Sequence, residues 1–260
     1  MWVYFGAILL FFASFAMADE VAQNVVMVGE GVSMPSSTFV MFGENPAGLI
    51  YQAGPNLHIW SAALESVNPI GIQLGTGNGE VSVGAATDLT TKNLRLGCAF
   101  VYNSSWAIGL NGVQFKNPGG DHSDDIDVGL ISSYKESNRI GLIVYNVFNR
   151  RSAGINRISL GYTTQMTPIA RAAVDSLLFR QVEDNITYLY LTPGIKLNIN
   201  QFKVSFSTRF YLGPSYEKTA LGVDPTTLIG VGYFFANRQM SVQYMENYFG
   251  RQSFAFEYVF

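Results

Sequence analysis

The densest gathering of possible metal ligands in the sequence is GGDHSDD, Gly119 to Asp125, clustering Asp121, His122, Asp124 and Asp125, whose carboxylates could offer oxygen atoms to a calcium ion. The spacing departs from the EF-hand loop, so the stretch reads as a solvated acidic outer loop, and no metal is expected. Hydrolysis would need a nucleophile or an activated water beside a positioned base. His58 and His122 are the two histidines available, and neither pairs with a serine at a recognisable spacing. The glycines of GTGNGE, residues 75–80, follow neither dinucleotide nor P-loop spacing, lack the lysine and precede no helix, so they read as a hairpin turn. The single Cys98 excludes an internal disulfide and sits in an alternating run as a small apolar residue. No catalytic residue, no cofactor and no enzymatic activity are expected.

The remaining ionisable residues fall at every second position of short apolar runs. Phe202, Val204, Phe206 and Phe210 share one strand face, while Lys203, Ser205, Ser207 and Arg209 share the other. Leu94, Leu96, Cys98 and Phe100 alternate in the same way with Arg95, Gly97 and Ala99. Ile126, Val128 and Leu130 oppose Asp127 and Gly129; Ile158, Leu160 and Tyr162 oppose Arg157, Ser159 and Gly161. Leu189, Leu191, Ile195 and Leu197 oppose Tyr188, Tyr190, Thr192 and Lys196. Period-two alternation predicts strands with unlike faces. By itself it does not say which face meets solvent.

Composition supplies that choice. The 260 residues are 13% charged and 14% aromatic with 26 glycines, and the mean hydropathy is +0.17. Average domains carry about 25% charged residues. No stretch after the N-terminal one is apolar for the ~20 residues of a membrane-spanning helix, and only helices and closed barrels satisfy the backbone in lipid. A net charge of −3 with a pI near 5.4 argues against a nucleic-acid partner. Residues 1–18, uncharged and closing on Ala16-Met17-Ala18, read as a secretory signal peptide, an uncleaved membrane anchor being the alternative.

The sequence therefore predicts an all-β, transmembrane, antiparallel up-and-down barrel over residues 56–260, of fourteen strands, with twelve as the second choice. In such a barrel lipid lies outside and the polar face lines the lumen. Arg95, Asp127, Arg157, Arg171, Asp175, Lys203, Arg209 and Glu257 are the expected lumen residues, the arginines facing the carboxylates across or along the wall. Connections alternate in length. TGNG, NSS, KESN, TQMTP, NINQ and ANR are tight, whereas KNPGGDHSDD and LGPSYEKTALGVDPTT are long and charged. That segregation fits short periplasmic turns and longer outer loops.

The chain closes on QSFAFEYVF, placing Phe256, Tyr258 and Phe260 on one strand face. This resembles the C-terminal assembly signal of bacterial outer-membrane barrels. Ahead of the barrel, residues 19–55 contain Gly29 and Gly31, then Asn45, Pro46, Ala47, Gly48 and Leu49. Proline fixes its own φ and pushes Asn45 toward extended backbone, while Gly48 permits a bend, so a compact turn with an apolar side is expected. This Gly-x-Gly followed by Asn-Pro-Ala-Gly-Leu resembles the N-terminal region of the FadL/OmpP1/TodX family and its PorV-like relatives. The resemblance implies a hatch inside the lumen and passage of hydrophobic molecules such as fatty acids. This chain lacks the family's long apolar outer loops, and its expected lumen is charged. The sequence reading is thus an outer-membrane channel for small hydrophobic or amphipathic solutes, in contact with outer-membrane lipid and the barrel assembly machinery, with both termini periplasmic. The alternative is a non-transporting barrel serving as scaffold, adhesin or partner of a secreted protein.

Overall fold

A computed structural model describes residues 31–33, 35, 45–52, 54–62, 70–89, 93–103, 105–116, 122–132, 137–148, 155–181, 186–212, 226–235, 240–246 and 252–259. The leader expected over residues 1–18 and the terminal Phe260 lie outside them. The first seven strands are β1 Asn56–Ala62, β2 Ile70–Gly77, β3 Val81–Asp88, β4 Leu94–Asn103, β5 Trp106–Lys116, β6 His122–Ser132 and β7 Asn138–Tyr145. The second seven are β8 Ile155–Thr167, β9 Ala170–Gln181, β10 Ile186–Ile199, β11 Phe202–Tyr211, β12 Thr226–Phe235, β13 Met240–Glu246 and β14 Gln252–Val259. Every neighbour in sequence is an antiparallel neighbour in space, and β1 pairs with β14 from Asn56↔Val259 to Ala62↔Ser253, closing the barrel. Closure leaves no edge strand with unpaired backbone groups.

The alternation sorts as the sequence predicts. Along β11, Phe202, Phe206 and Phe210 are 50%, 48% and 43% exposed, whereas Lys203, Ser205 and Ser207 are buried. Leu94, Leu96, Ile158, Leu160, Val174, Leu178, Ile195 and Ile199 join the outward band. Apolar exposure on this scale, running from Ile59 of β1 to Val231 of β12 among the described side chains, needs lipid rather than water outside. Near the tight turns the outer surface turns aromatic. Tyr102 and Trp106 are exposed on either side of the β4–β5 turn. Phe202 stacks on its cross-strand partner Tyr233 at 4.7 Å, whose hydroxyl donates to Gln201 Oε1 at 2.7 Å.

The tight connections are tighter than the sequence implies. NINQ and TQMTP read as turns of four and five residues, yet β10 runs to Ile199 and β11 starts at Phe202, while β8 runs to Thr167 and β9 starts at Ala170. Asn200 takes φ +53°, a left-handed conformation that asparagine tolerates and that suits a two-residue hairpin. A second correction concerns Asp124 and Asp125, expected in a solvated loop. Strand β6 already starts at His122, and Asp125 is buried, accepting from the backbone N–H of Ile126 at 2.8 Å and of Phe148 at 3.0 Å.

Candidate functional site: the hatch and its seat

Inside the barrel the segment Pro46–Tyr51 forms one 3-10 turn, and all six residues are buried. Asn45 caps it with extended backbone, φ −64° and ψ 115°, as the following proline requires. Its Oδ1 accepts from Ala47 N–H at 3.0 Å, and its backbone carbonyl accepts from Gly48 N–H at 2.8 Å. The amide of the same side chain points the other way. Nδ2 donates to Val32 O at 2.7 Å and to Leu130 O at 2.9 Å, with Leu142 O at 3.4 Å sharing the second hydrogen. Leu130 and Leu142 face each other across β6 and β7. One buried asparagine thus joins the turn, the Gly-x-Gly segment and two wall strands, using both ends of its amide.

The Gly31–Ser33 segment is clamped separately. Val32 N–H donates to Asp175 Oδ2 at 3.2 Å, and Ser33 Oγ donates to Asp175 Oδ1 at 3.3 Å while bonding Thr163 Oγ1 at 2.6 Å. Asp175 and Thr163 are wholly buried residues of β9 and β8. A buried carboxylate is tolerable where it collects donors of this kind. At the other end, Gly54 at φ +66° passes its N–H to Gly77 O at 2.8 Å and turns the chain into β1.

The wall receives the hatch because it lacks side chains there. A Cβ on Gly109 would enter the backbone of Pro46 and Ala47; on Gly129, the side-chain Oδ1 of Asn45 and the Pro46 ring. On Gly141 it would strike the Val32 carbonyl, and on Gly161 the Asp175 carboxylate, Val32 Cβ and the Ser33 backbone nitrogen. Gly109 pairs with Gly129 and Gly141 pairs with Gly161, so the bare positions adjoin across strand pairs. Around them Ala47, Leu49, Ile50 and Tyr51 pack on the small inward residues Ala86, Ala99 and Ala107 and on Ile131.

The charged residues predicted for the lumen occupy inward positions wherever their side chains are described. Asp127, Asp175 and Lys203 are buried, and Arg95, Arg157, Arg171 and Arg209 are partly covered on the same face. Two of the arginines find aromatic partners that sequence reasoning did not assign. Arg157 lies over the Tyr145 ring at 5.2 Å and Arg209 over the Tyr190 ring at 5.2 Å. The carboxylates serve the backbone as well: Asp127 accepts from Asn146 N–H at 2.9 Å. Glu257, Phe256 and Tyr258 belong to β14, with their side chains outside the described set. His58 is buried at the start of β1 with Nε2 3.1 Å from Asn56 Oδ1. Sequence reasoning missed one buried cation, Arg139 on β7, and set Lys196 of β10 on the polar face without counting it among the lumen residues. The signal for Arg139 was weaker, since in NRIGL it has an apolar neighbour on one side alone, whereas Lys196 in GIKLN has one on each. Among the described residues no group of three or more histidine, cysteine, aspartate or glutamate side chains could hold a metal ion.

No protein-family model matches the sequence, and no curated protein matches it. The fold, however, is similar to that of solved hydrocarbon channels. The Pseudomonas putida toluene transporter TodX superposes with a TM-score of 0.58 at 9% identity, over 91% of this chain and 95% of that one. The Ralstonia pickettii toluene transporter TbuX gives 0.54 at 10% identity, over 95% and 100%. The CymD monoaromatic hydrocarbon channel gives 0.52 at 12% identity, over 95% and 99%. At these identities the likeness speaks for the fold.

Proposed function

We propose that this protein is an outer-membrane channel for small hydrophobic or amphipathic solutes, which pass around the hatch, with both termini on the periplasmic side. The observation that carries the reading is the hatch itself: a barrel wall stripped to glycine at Gly109, Gly129, Gly141 and Gly161 to seat an N-terminal turn. A seat shaped for an internal plug has use in a barrel whose lumen must be controlled. The similarity of fold to channels for toluene and monoaromatic hydrocarbons supports the hydrophobic class of solute. Fatty acids remain the class suggested by the Asn-Pro-Ala-Gly-Leu resemblance. The outward apolar band and the aromatic β14 sequence support contact with outer-membrane lipid and handling by the barrel assembly machinery.

The test is uptake of a labelled small apolar solute into proteoliposomes. Protein-containing vesicles should fill faster than protein-free ones, and deletion of residues 19–50 should change that rate; equal filling by all three would overturn the proposal. A second reading is favoured by one observation. Lys196, Asp175, Ser205 and Ser207 are inward yet fully covered, as in a stoppered lumen. A non-transporting barrel acting as scaffold, adhesin or partner of a secreted protein, in the manner of PorV-like relatives, would show no step conductance in planar bilayers and would co-purify with a protein.

A further inference from the structure

Arg139 is only 7% exposed, and its Nε and Nη1 donors have no hydrogen-bond partner. Its guanidinium lies over the ring of Tyr51, the last residue of the hatch turn, at 5.0 Å. That contact offsets part of the charge, but a ring face supplies no lone pair to the N–H edge. Arg171 of β9 is close enough for its charge to act on Arg139 and on Tyr51. Lys196 faces Arg171 across the β9–β10 ladder and is fully buried. Three cations thus gather at the tight-turn end of the wall, next to the hatch. Buried donors without acceptors, held near a like charge, are costly in a low-dielectric interior. An oxyanion removes both costs at once, because the guanidinium edge presents paired N–H groups that match carboxylate or phosphate oxygens.

We propose that Arg139 and Arg171 form an oxyanion-binding site at the junction of hatch and wall, taking a carboxylate or phosphate group. The bound anion links β7 and β9 beneath Tyr51 and so fastens the hatch turn. The ligand chemistry is shared by two sources, a free small anion and the acidic end of an amphiphile. The site rests on the geometry of the barrel and hatch and stands whether or not solutes cross.

The experiment uses the purified full chain in a neutral detergent, with binding followed by calorimetry. Decanoate and its uncharged counterpart decanol are compared, with acetate and inorganic phosphate as small competitors. Decanoate should bind at least about tenfold tighter than decanol, and Arg139→Gln should bring the two within about twofold. Arg139→Lys should keep part of the preference. Binding of acetate or phosphate alone, lost in Arg139→Gln, assigns the site to free anions; binding of decanoate only assigns it to amphiphiles. Equal affinity of decanoate and decanol in the unaltered chain, with neither small anion bound, overturns the proposal. Heat-dependent gel mobility checks that each variant is a folded barrel, and Arg171→Gln supplies a second variant should Arg139→Gln not fold. Uptake of a neutral solute, measured separately, fails or succeeds independently of these outcomes.

Discussion

The wall from β3 to β8 and the wall from β9 to β11 meet the same lumen with opposite equipment. The first presents Ser82, Ala86, Ala99, Ala107, Gly109, Gly129, Gly141 and Gly161, and the hatch lies directly upon it. The second presents Leu177, Tyr188, Tyr190, Lys196 and Lys203. Both are inward faces of period-two strands, so polarity does not separate them. Contact with the hatch does: at Gly109, Gly129, Gly141 and Gly161 the first wall gives up its side chain so that the hatch comes close, whereas the second reaches Val32 and Ser33 through the Asp175 carboxylate and carries tyrosine and lysine stems elsewhere.

The sharpest way to break this comparison is to give the first wall the bulk of the second. Gly129→Leu and Gly109→Leu should each unseat the turn at Asn45–Ala47. Overpacking typically costs about 1–3 kcal/mol; the obstacle is the Pro46–Ala47 backbone for Gly109 and the Asn45 side chain with the rigid Pro46 ring for Gly129, so the upper end or beyond is expected. Limited proteolysis should release the N-terminal segment while the barrel stays folded by heat-shifted gel mobility. Tyr190→Ala, which removes bulk from the second wall, should leave the hatch protected. Equal protection in the glycine variants would refute the division.

A somewhat smaller effect is expected when shape is kept and hydrogen-bond polarity reversed. Asn45→Asp replaces a donor aimed at Val32 O, Leu130 O and Leu142 O by an acceptor, which should destabilise hatch docking by about 3 kcal/mol, near the upper end of the range for leaving buried groups unpaired. Asn45→Ala should cost less, since it removes the donor without adding repulsion. Urea midpoints read on hatch protection would rank the two. At the second clamp, Asp175→Asn keeps one acceptor for Val32 N–H or Ser33 Oγ, and about 1–2 kcal/mol should be lost, seen as faster hydrogen exchange at Val32 with little change at Ala47. The smallest effect belongs to Gly54→Ala. No atom lies within 4 Å of the new methyl group, but φ is +66°, so about 1–2 kcal/mol of backbone strain is expected, measurable as a small drop in the urea midpoint.

Much of the barrel was legible because its two faces differ in kind. Phe202, Phe206 and Phe210 against Lys203, Ser205 and Ser207 need one rule, and the coordinates obey it. The hatch motif was legible as a turn, because Pro46 and Gly48 limit the backbone locally. Its partners were not, since the bonds from Asn45 to Leu130 and from Val32 to Asp175 span 85 and 143 residues, and no local pattern encodes them. One signal went unused: glycine recurs at inward positions 109, 129, 141 and 161, where a strand gains nothing from it. The tyrosine partners of Arg157 and Arg209 depend on register, which alternation leaves open. Asp125 was misplaced because an acidic, glycine-preceded run looks like loop until its carboxylate is seen capping Phe148 N–H.

The two carbonyls that Asn45 satisfies belong to strands whose mutual pairing runs only from Val128↔Val144 to Ser132↔Ile140. Part of that seam is therefore completed by a residue synthesised long before either strand. Sheet and plug are in that sense one hydrogen-bonded unit: withdrawing the early segment would leave carbonyls inside the seam without the donor that Asn45 brings them.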